Sequence, residues 1–214
     1  MNIGHIHFPI LALVAFASCV LPVVTGGLRW RKLPRETRYL LGIFSLYILV
    51  LTTQIIVAFN RFNTTWIGQI YNLGEYSVFA VVFSIWCDKE RTKNLMIWSI
   101  PFFITVWIVA KLTLEPISKY DTYTGPIGTV MLIAMAIYSL IDLLAAPKES
   151  MYQKSRFWFS SGIIIYGVGT LPLFSLANLL LTRPLKEFEQ MWAINWGLMI
   201  VVNCIYSRAL LCNS

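Results

Sequence analysis

The sequence predicts an all-α integral membrane protein: one seven-transmembrane-helix bundle spanning residues 1–214, N-terminus outside and C-terminus cytoplasmic. Two observations carry this. Hydrophobic residues make up 57% of the chain and charged residues 13%, against about 25% charged in ordinary soluble domains. The apolar residues also fall into long runs, and the hydrophilic segments between them alternate between rich and poor in Lys and Arg.

The runs are read as spans at 8–26, 39–60, 66–86, 94–110, 127–145, 157–181 and 191–211. A helix needs about 20 residues to cross the hydrocarbon layer, and helices satisfy every backbone polar group within it. The alternating segments of about ten residues that a β-barrel requires are missing. The first span starts without Lys or Arg in MNIGHIH, so the positive flank of a signal peptide is lacking and a retained helix is expected. The fourth span is short, and Pro101 at its middle predicts a kink. The sixth carries Gly162, Gly167, Gly169 and Pro172. These glycines permit close helix approach.

Orientation follows from the basic residues. One side collects Arg29, Arg31, Lys32, Arg35 and Arg38, then Lys89, Arg91 and Lys93, then Lys148, Lys154 and Arg156, and finally Arg208. The other side has only Arg61, Lys111, Lys119, Arg183 and Lys186. The richer side is cytoplasmic by the positive-inside rule. The net charge of +7 therefore reads as topology and contact with lipid headgroups, and no nucleic-acid partner is expected. Trp66, Trp86, Trp158 and Trp192 fall at span ends, where amphipathic rings favour the interface.

Polar residues inside spans are costly and mark candidate sites. Glu75 lies near the middle of the third span. Gln69, Asn72, Glu75 and Tyr76 fit within an arc of roughly 120° at about 100° per residue, a single polar stripe. No Lys or Arg lies at the depth of Glu75, so it is expected either protonated or paired with amides and hydroxyls. The seventh span aligns Trp192, Asn195, Asn203 and Tyr206, and the sixth aligns Tyr166, Thr170 and Asn178. The second adds Thr52, Thr53 and Gln54 in its outer half. The expected candidate site is an outward-facing polar cavity lined by spans two, three, six and seven, with Glu75 at its floor. Its expected ligand-binding residues are Gln54, Gln69, Asn72, Glu75, Tyr76, Tyr166, Thr170, Asn178, Asn195 and Asn203. The competing reading makes these residues a hydrogen-bonded glue between helices.

Other features read as structural. Asp142 is expected to cap or snorkel beside Lys148, and Arg208 to snorkel to the headgroups. Cys19, Cys87, Cys204 and Cys212 lack metal-type spacing and read as small hydrophobes. His5 and His7 are a weak metal signal, and no metal or cofactor is expected. Neither G-x-S-x-G, H-E-x-x-H nor a phosphate loop occurs. The histidines are remote from any buried nucleophile, and the last span lacks a Lys for a retinal Schiff base. No enzymatic activity is expected.

The segments IYNLGEYSVF, RFWFSSGIIIYGVG and MWAINWGLMIVVNCIY resemble small, mostly uncharacterised seven-helix membrane proteins of bacteria. These in turn resemble the membrane sensor portions of some bacterial signalling proteins. The resemblance implies a signalling role in the cytoplasmic membrane, with no cytoplasmic output domain expected in this chain and output supplied by a separate partner. Three readings stay open. The first is a receptor or sensor subunit for a small ligand or lipid. The second is a small-molecule or proton-coupled transporter with three helices, a linker helix and three helices, hinted at by Trp66/Gln69 and Trp192/Asn195. The third is a non-catalytic subunit of a larger complex, docking through a face such as Phe102, Phe103 and Trp107.

Overall fold

The computed structural model describes residues 9–145 and 151–212. Among these residues the chain is all-helical, with no β-strand. Helices α1 (Ile10–Ser18) and α2 (Val20–Leu28) lead into α3 (Arg35–Phe59), α4 (Thr65–Trp86), α5 (Glu90–Thr113) and α6 (Thr124–Leu144). Helices α7 (Ser155–Ser175), the short α8 (Ala177–Leu180) and α9 (Leu185–Leu211) complete the fold.

Six stretches are long and apolar enough to cross a membrane: Ile10–Leu28, which joins α1 and α2, together with α3, α5, α6, α7 and α9. The chain is thus a multi-pass membrane protein. Helix α4 has 22 residues, about 33 Å at 1.5 Å per residue. That is long enough to cross, but Gln69, Asn72 and Glu75 make it more polar than the other six.

Several expected boundaries shift. The fourth span is not short: α5 runs from Glu90 to Thr113, with Pro101 inside it. The sixth does not continue to 181, because the helix breaks at Leu176, which starts the single turn of α8. The seventh begins six residues early, just after Pro184, a residue suited to a helix start. The first is interrupted at Cys19, three residues before Pro22, whose missing N–H loosens the preceding turn.

The packing forms a ring. Helix α2 packs on α3 and α9, α3 on α4, α4 on α6, α6 on α7, and α7 on α9, with α5 outside against α4 and α6. Beyond the interruption, α1 leans on α9 rather than on α3. The ring is therefore closed at the end carrying Arg29–Arg38 and wider at the other end. Glycines set the closest approaches. A Cβ on Gly162 of α7 would lie 2.5 Å from Tyr206 Cε1, and one on Gly128 of α6 would lie 2.7 Å from Phe103 Cζ.

At the basic end the core is aromatic. Phe159 packs edge-on to Phe79 at 5.0 Å between ring centres and 5.3 Å from Tyr206, which stacks on Phe44 at 5.0 Å. Phe83 and Trp86 complete the cluster at 5.8 and 5.7 Å from Phe159.

Candidate functional site

A cavity of about 590 Å³ occupies the wider half of the ring. Its walls come from α3, α4, α5, α6, α7 and α9, with Phe16 of α1 and the Tyr120–Asp121 loop segment at the rim. Phe44, Phe79, Val202 and Tyr206 line its deep end, where the aromatic cluster closes it. Between α1 and α3 the wall is closed through side chains, Tyr47 and Ile48 packing on the cluster of Ala12, Ala15 and Cys19.

Nine of the ten expected residues line this cavity: Gln54, Gln69, Asn72, Glu75, Tyr76, Tyr166, Thr170, Asn195 and Asn203. Several are already committed to neighbours. Tyr76 donates to Ser99 Oγ at 2.9 Å, joining α4 to α5. Tyr166 donates to Asn195 Oδ1 at 3.0 Å, joining α7 to α9. The Thr170 hydroxyl returns to the Tyr166 carbonyl at 2.7 Å. Asn203 Nδ2 donates to Ser18 Oγ at 2.8 Å, tying α9 to the interrupted first span. Gln54 Nε2 reaches the Thr64 carbonyl at 3.3 Å. The bonds of Tyr76, Tyr166 and Asn203 are the interhelical glue foreseen as the competing reading, and they hold the walls in place.

A smaller set remains open. Glu75 Oε1 accepts from Tyr71 at 3.1 Å, a hydroxyl one turn earlier, and Oε2 takes no protein hydrogen bond among the described residues. Gln69 is buried and donates its Nε2 to the Lys119 carbonyl. That bond fixes the amide orientation and leaves Oε1 buried without a partner. The Trp107 Nε1–H is likewise buried and unpartnered. Asn72 lines the cavity and has no hydrogen bond among the described residues. Buried polar groups are seldom left unsatisfied, so Gln69 Oε1 and Trp107 Nε1 mark where a bound molecule or water would be held; Glu75 is half-buried and Asn72 exposed.

Asn178 lies off the cavity, contrary to expectation. It sits on α8, beyond the helix break. It accepts from Tyr120 N–H at 3.1 Å and donates to the Tyr120 carbonyl at 3.0 Å. Its role is to fasten the loop that places Asp121 in the cavity wall.

Sequence reasoning missed the charged rim beside it. Lys111 pairs with Glu115 at 3.4 Å and also with Asp121, and all three side chains are at most 8% exposed. Glu115 accepts from the Thr124 hydroxyl at 2.8 Å and from Tyr123 N–H, so it caps the start of α6 from outside the helix. Burial alone would raise its carboxyl, but these donors and Lys111 hold it below the usual range. Burial pushes the Asp121 carboxyl up, only partly offset by Lys111. The Lys111/Glu115 spacing of four residues was a signal in the sequence; the return of Asp121 across the loop was not. Lys111 also lies 5.5 Å from the Trp107 ring centre.

Outside the cavity, Asp142 pairs with Arg156 at 2.8 Å across α6 and α7. Arg156 is in the first turn of the facing helix; the expected partner Lys148 lies outside the described residues, as do His5 and His7. Arg208 is exposed beside the Trp158 ring at 5.9 Å. Among the described residues, no three metal-ligating side chains come together. Comparison with known protein families, curated proteins and solved structures returned no match.

Proposed function

We propose that this chain is a seven-helix receptor- or sensor-like subunit that binds a small ligand or lipid in the polar cavity and signals to a separate partner. In this reading α4 is the seventh crossing helix. The N-terminus is outside and the basic end faces the cytoplasm, following the alternation of Lys and Arg. The membrane is then the cytoplasmic membrane. The observation that carries the reading is the cavity itself: unpartnered Gln69 Oε1 and Trp107 Nε1 within it, and an aromatic floor beneath it. A ligand shifts a conformational equilibrium only by its differential affinity for the two states. Asn203 and Ser18 offer such a coupling, since their bond links a cavity wall to the interrupted first span. The basic segment after α2 is next along the chain toward a cytoplasmic partner.

The transporter reading requires a path past Phe79, Phe159 and Tyr206, so the closed floor favours sensing. The test is purification of the full chain in mild detergent, followed by native mass spectrometry. The expected result is a small molecule or lipid released on denaturation, together with a co-purifying partner. An empty cavity and substrate uptake in liposomes would refute sensing. Accessibility labelling that finds both termini in one compartment would refute the seven-crossing topology.

A further inference from the structure

We infer that the cavity takes a small organic cation, an amine or quaternary ammonium that also carries an oxygen acceptor; this rests on the ligand-binding reading above and names the chemistry of the ligand.

Charge comes first. The cavity lining includes two carboxylates, Glu75 and Asp121, and no Lys, Arg or His. Lys111, beside the lining residues Asp121 and Trp107, is shared between Asp121 and Glu115. Three charges at the rim therefore leave one negative charge over, and an ionised Glu75 adds a second. An anionic ligand would meet no cation and two carboxylates. A cation would supply the missing charge.

The unpartnered atoms agree with this. Gln69 is 3% exposed, and the bond from its Nε2 to the Lys119 carbonyl leaves its acceptor end unpartnered. A buried acceptor calls for a donor, which an ammonium or its polarised methyl groups provide. Half-buried Glu75 offers a second acceptor, Oε2, which takes no hydrogen bond among the described residues. Gln69 and Glu75 are six residues apart on α4, about 9 Å along the axis. The Trp107 ring N–H is a donor without an acceptor, and a hydroxyl on the ligand would satisfy it. The remaining wall is largely aromatic, with Tyr47, Tyr166, Trp192 and Trp196 among the lining residues. Aromatic faces attract cations, and rings around a site recognise quaternary ammonium groups.

The test uses isothermal titration of the purified full chain in detergent. The probes are choline, ethanolamine and tetraethylammonium, with 3,3-dimethylbutan-1-ol as the neutral isostere of choline. At least one cation is expected to bind, and choline to bind at least about tenfold more tightly than its isostere. Glu75→Gln is expected to weaken the cations about tenfold and to leave the isostere unchanged. If that variant does not fold, the choline/isostere ratio on the unmodified chain decides alone. Equal binding of choline and its isostere overturns the cation assignment while leaving a ligand-binding cavity. Absence of binding by every cation overturns it as well. Native mass spectrometry then separates the two ideas: another bound molecule keeps the receptor reading, and an empty cavity removes both.

Discussion

Replacing Glu115 by glutamine probes the charged rim. The side chain is 3% exposed, so water cannot take over its bonds. Oε2 faces the Thr124 hydroxyl at 2.8 Å, Thr124 N–H at 3.4 Å and Lys111 Nζ at 3.4 Å. Oε1 faces Tyr123 N–H and the Thr122 hydroxyl at 3.3 Å. Whichever oxygen becomes an NH₂ group, it turns a donor toward a backbone N–H at the start of α6. Losing a helix cap costs about 1 kcal/mol, and losing hydrogen bonds to a charged group costs about 1.5–3 kcal/mol. Asp121 still neutralises Lys111, so the larger cost of an orphaned buried cation is avoided. The expected loss is about 3 kcal/mol. At roughly 2–4 °C per kcal/mol for a chain of this size, the midpoint of thermal unfolding in detergent should fall by about 6–12 °C. The exposed Glu187→Gln serves as the control and should not move it. A fall below about 2 °C for Glu115→Gln would mean that the carboxylate neither caps α6 nor holds Lys111, and the reasoning would fail.

Three further outcomes follow from the packing and the charges. Gly162→Ala drives a methyl into the Tyr206 ring, which is itself held between Phe44 and Phe159, and should cost about 1–3 kcal/mol of overpacking in the same unfolding assay; an unchanged midpoint would show that α7 and α9 can part freely. Because the folded Glu115 carboxyl lies below its ordinary value, the stability it contributes is present above about pH 4.5 and lost as pH falls through the lower folded value. Hydrogen exchange corrected for intrinsic rate should therefore show Tyr123 and Thr124 losing protection in acid, and constant protection would count against the cap. Arg156→Met leaves Asp142, 17% exposed, without its guanidinium and Ser139 with only the longer bond from Ser160 at 3.3 Å, so the α6–α7 contact should weaken by about 1.5 kcal/mol; a double variant with Asp142→Asn that recovers most of this would identify the pair as its source.

How far the sequence carries depends on the range of the interaction. Apolar run length marks the helices, because each residue contributes to the hydrocarbon match independently. Helical phase brings Gln69, Asn72 and Glu75 to one side of α4, because about 100° per residue is a local rule. What sequence reasoning lacks is the partner. The Asp142–Arg156 pair and the bond from Asn203 to Ser18 join residues on different helices, and no periodicity announces them. Asn178 has the right phase for α7, but the break at Leu176 puts it in another element. The contributions of α5 and α6 to the cavity were missed for a different reason. They present Phe103, Trp107, Gly128 and Thr129, residues whose composition resembles a lipid-facing wall.

The aromatic floor has an electrical meaning. A voltage across a bilayer falls mainly over the dry layer that separates the two aqueous spaces, worth about 2.3 kcal/mol per elementary charge per 100 mV for a full crossing. The packed rings of Phe79, Phe159 and Tyr206 would form such a layer beneath a water-filled cavity. In the proposed orientation, a charged ligand held above them would stay near the potential of the compartment it came from, and concentration on that side, rather than membrane polarisation, would govern how often the cavity is filled.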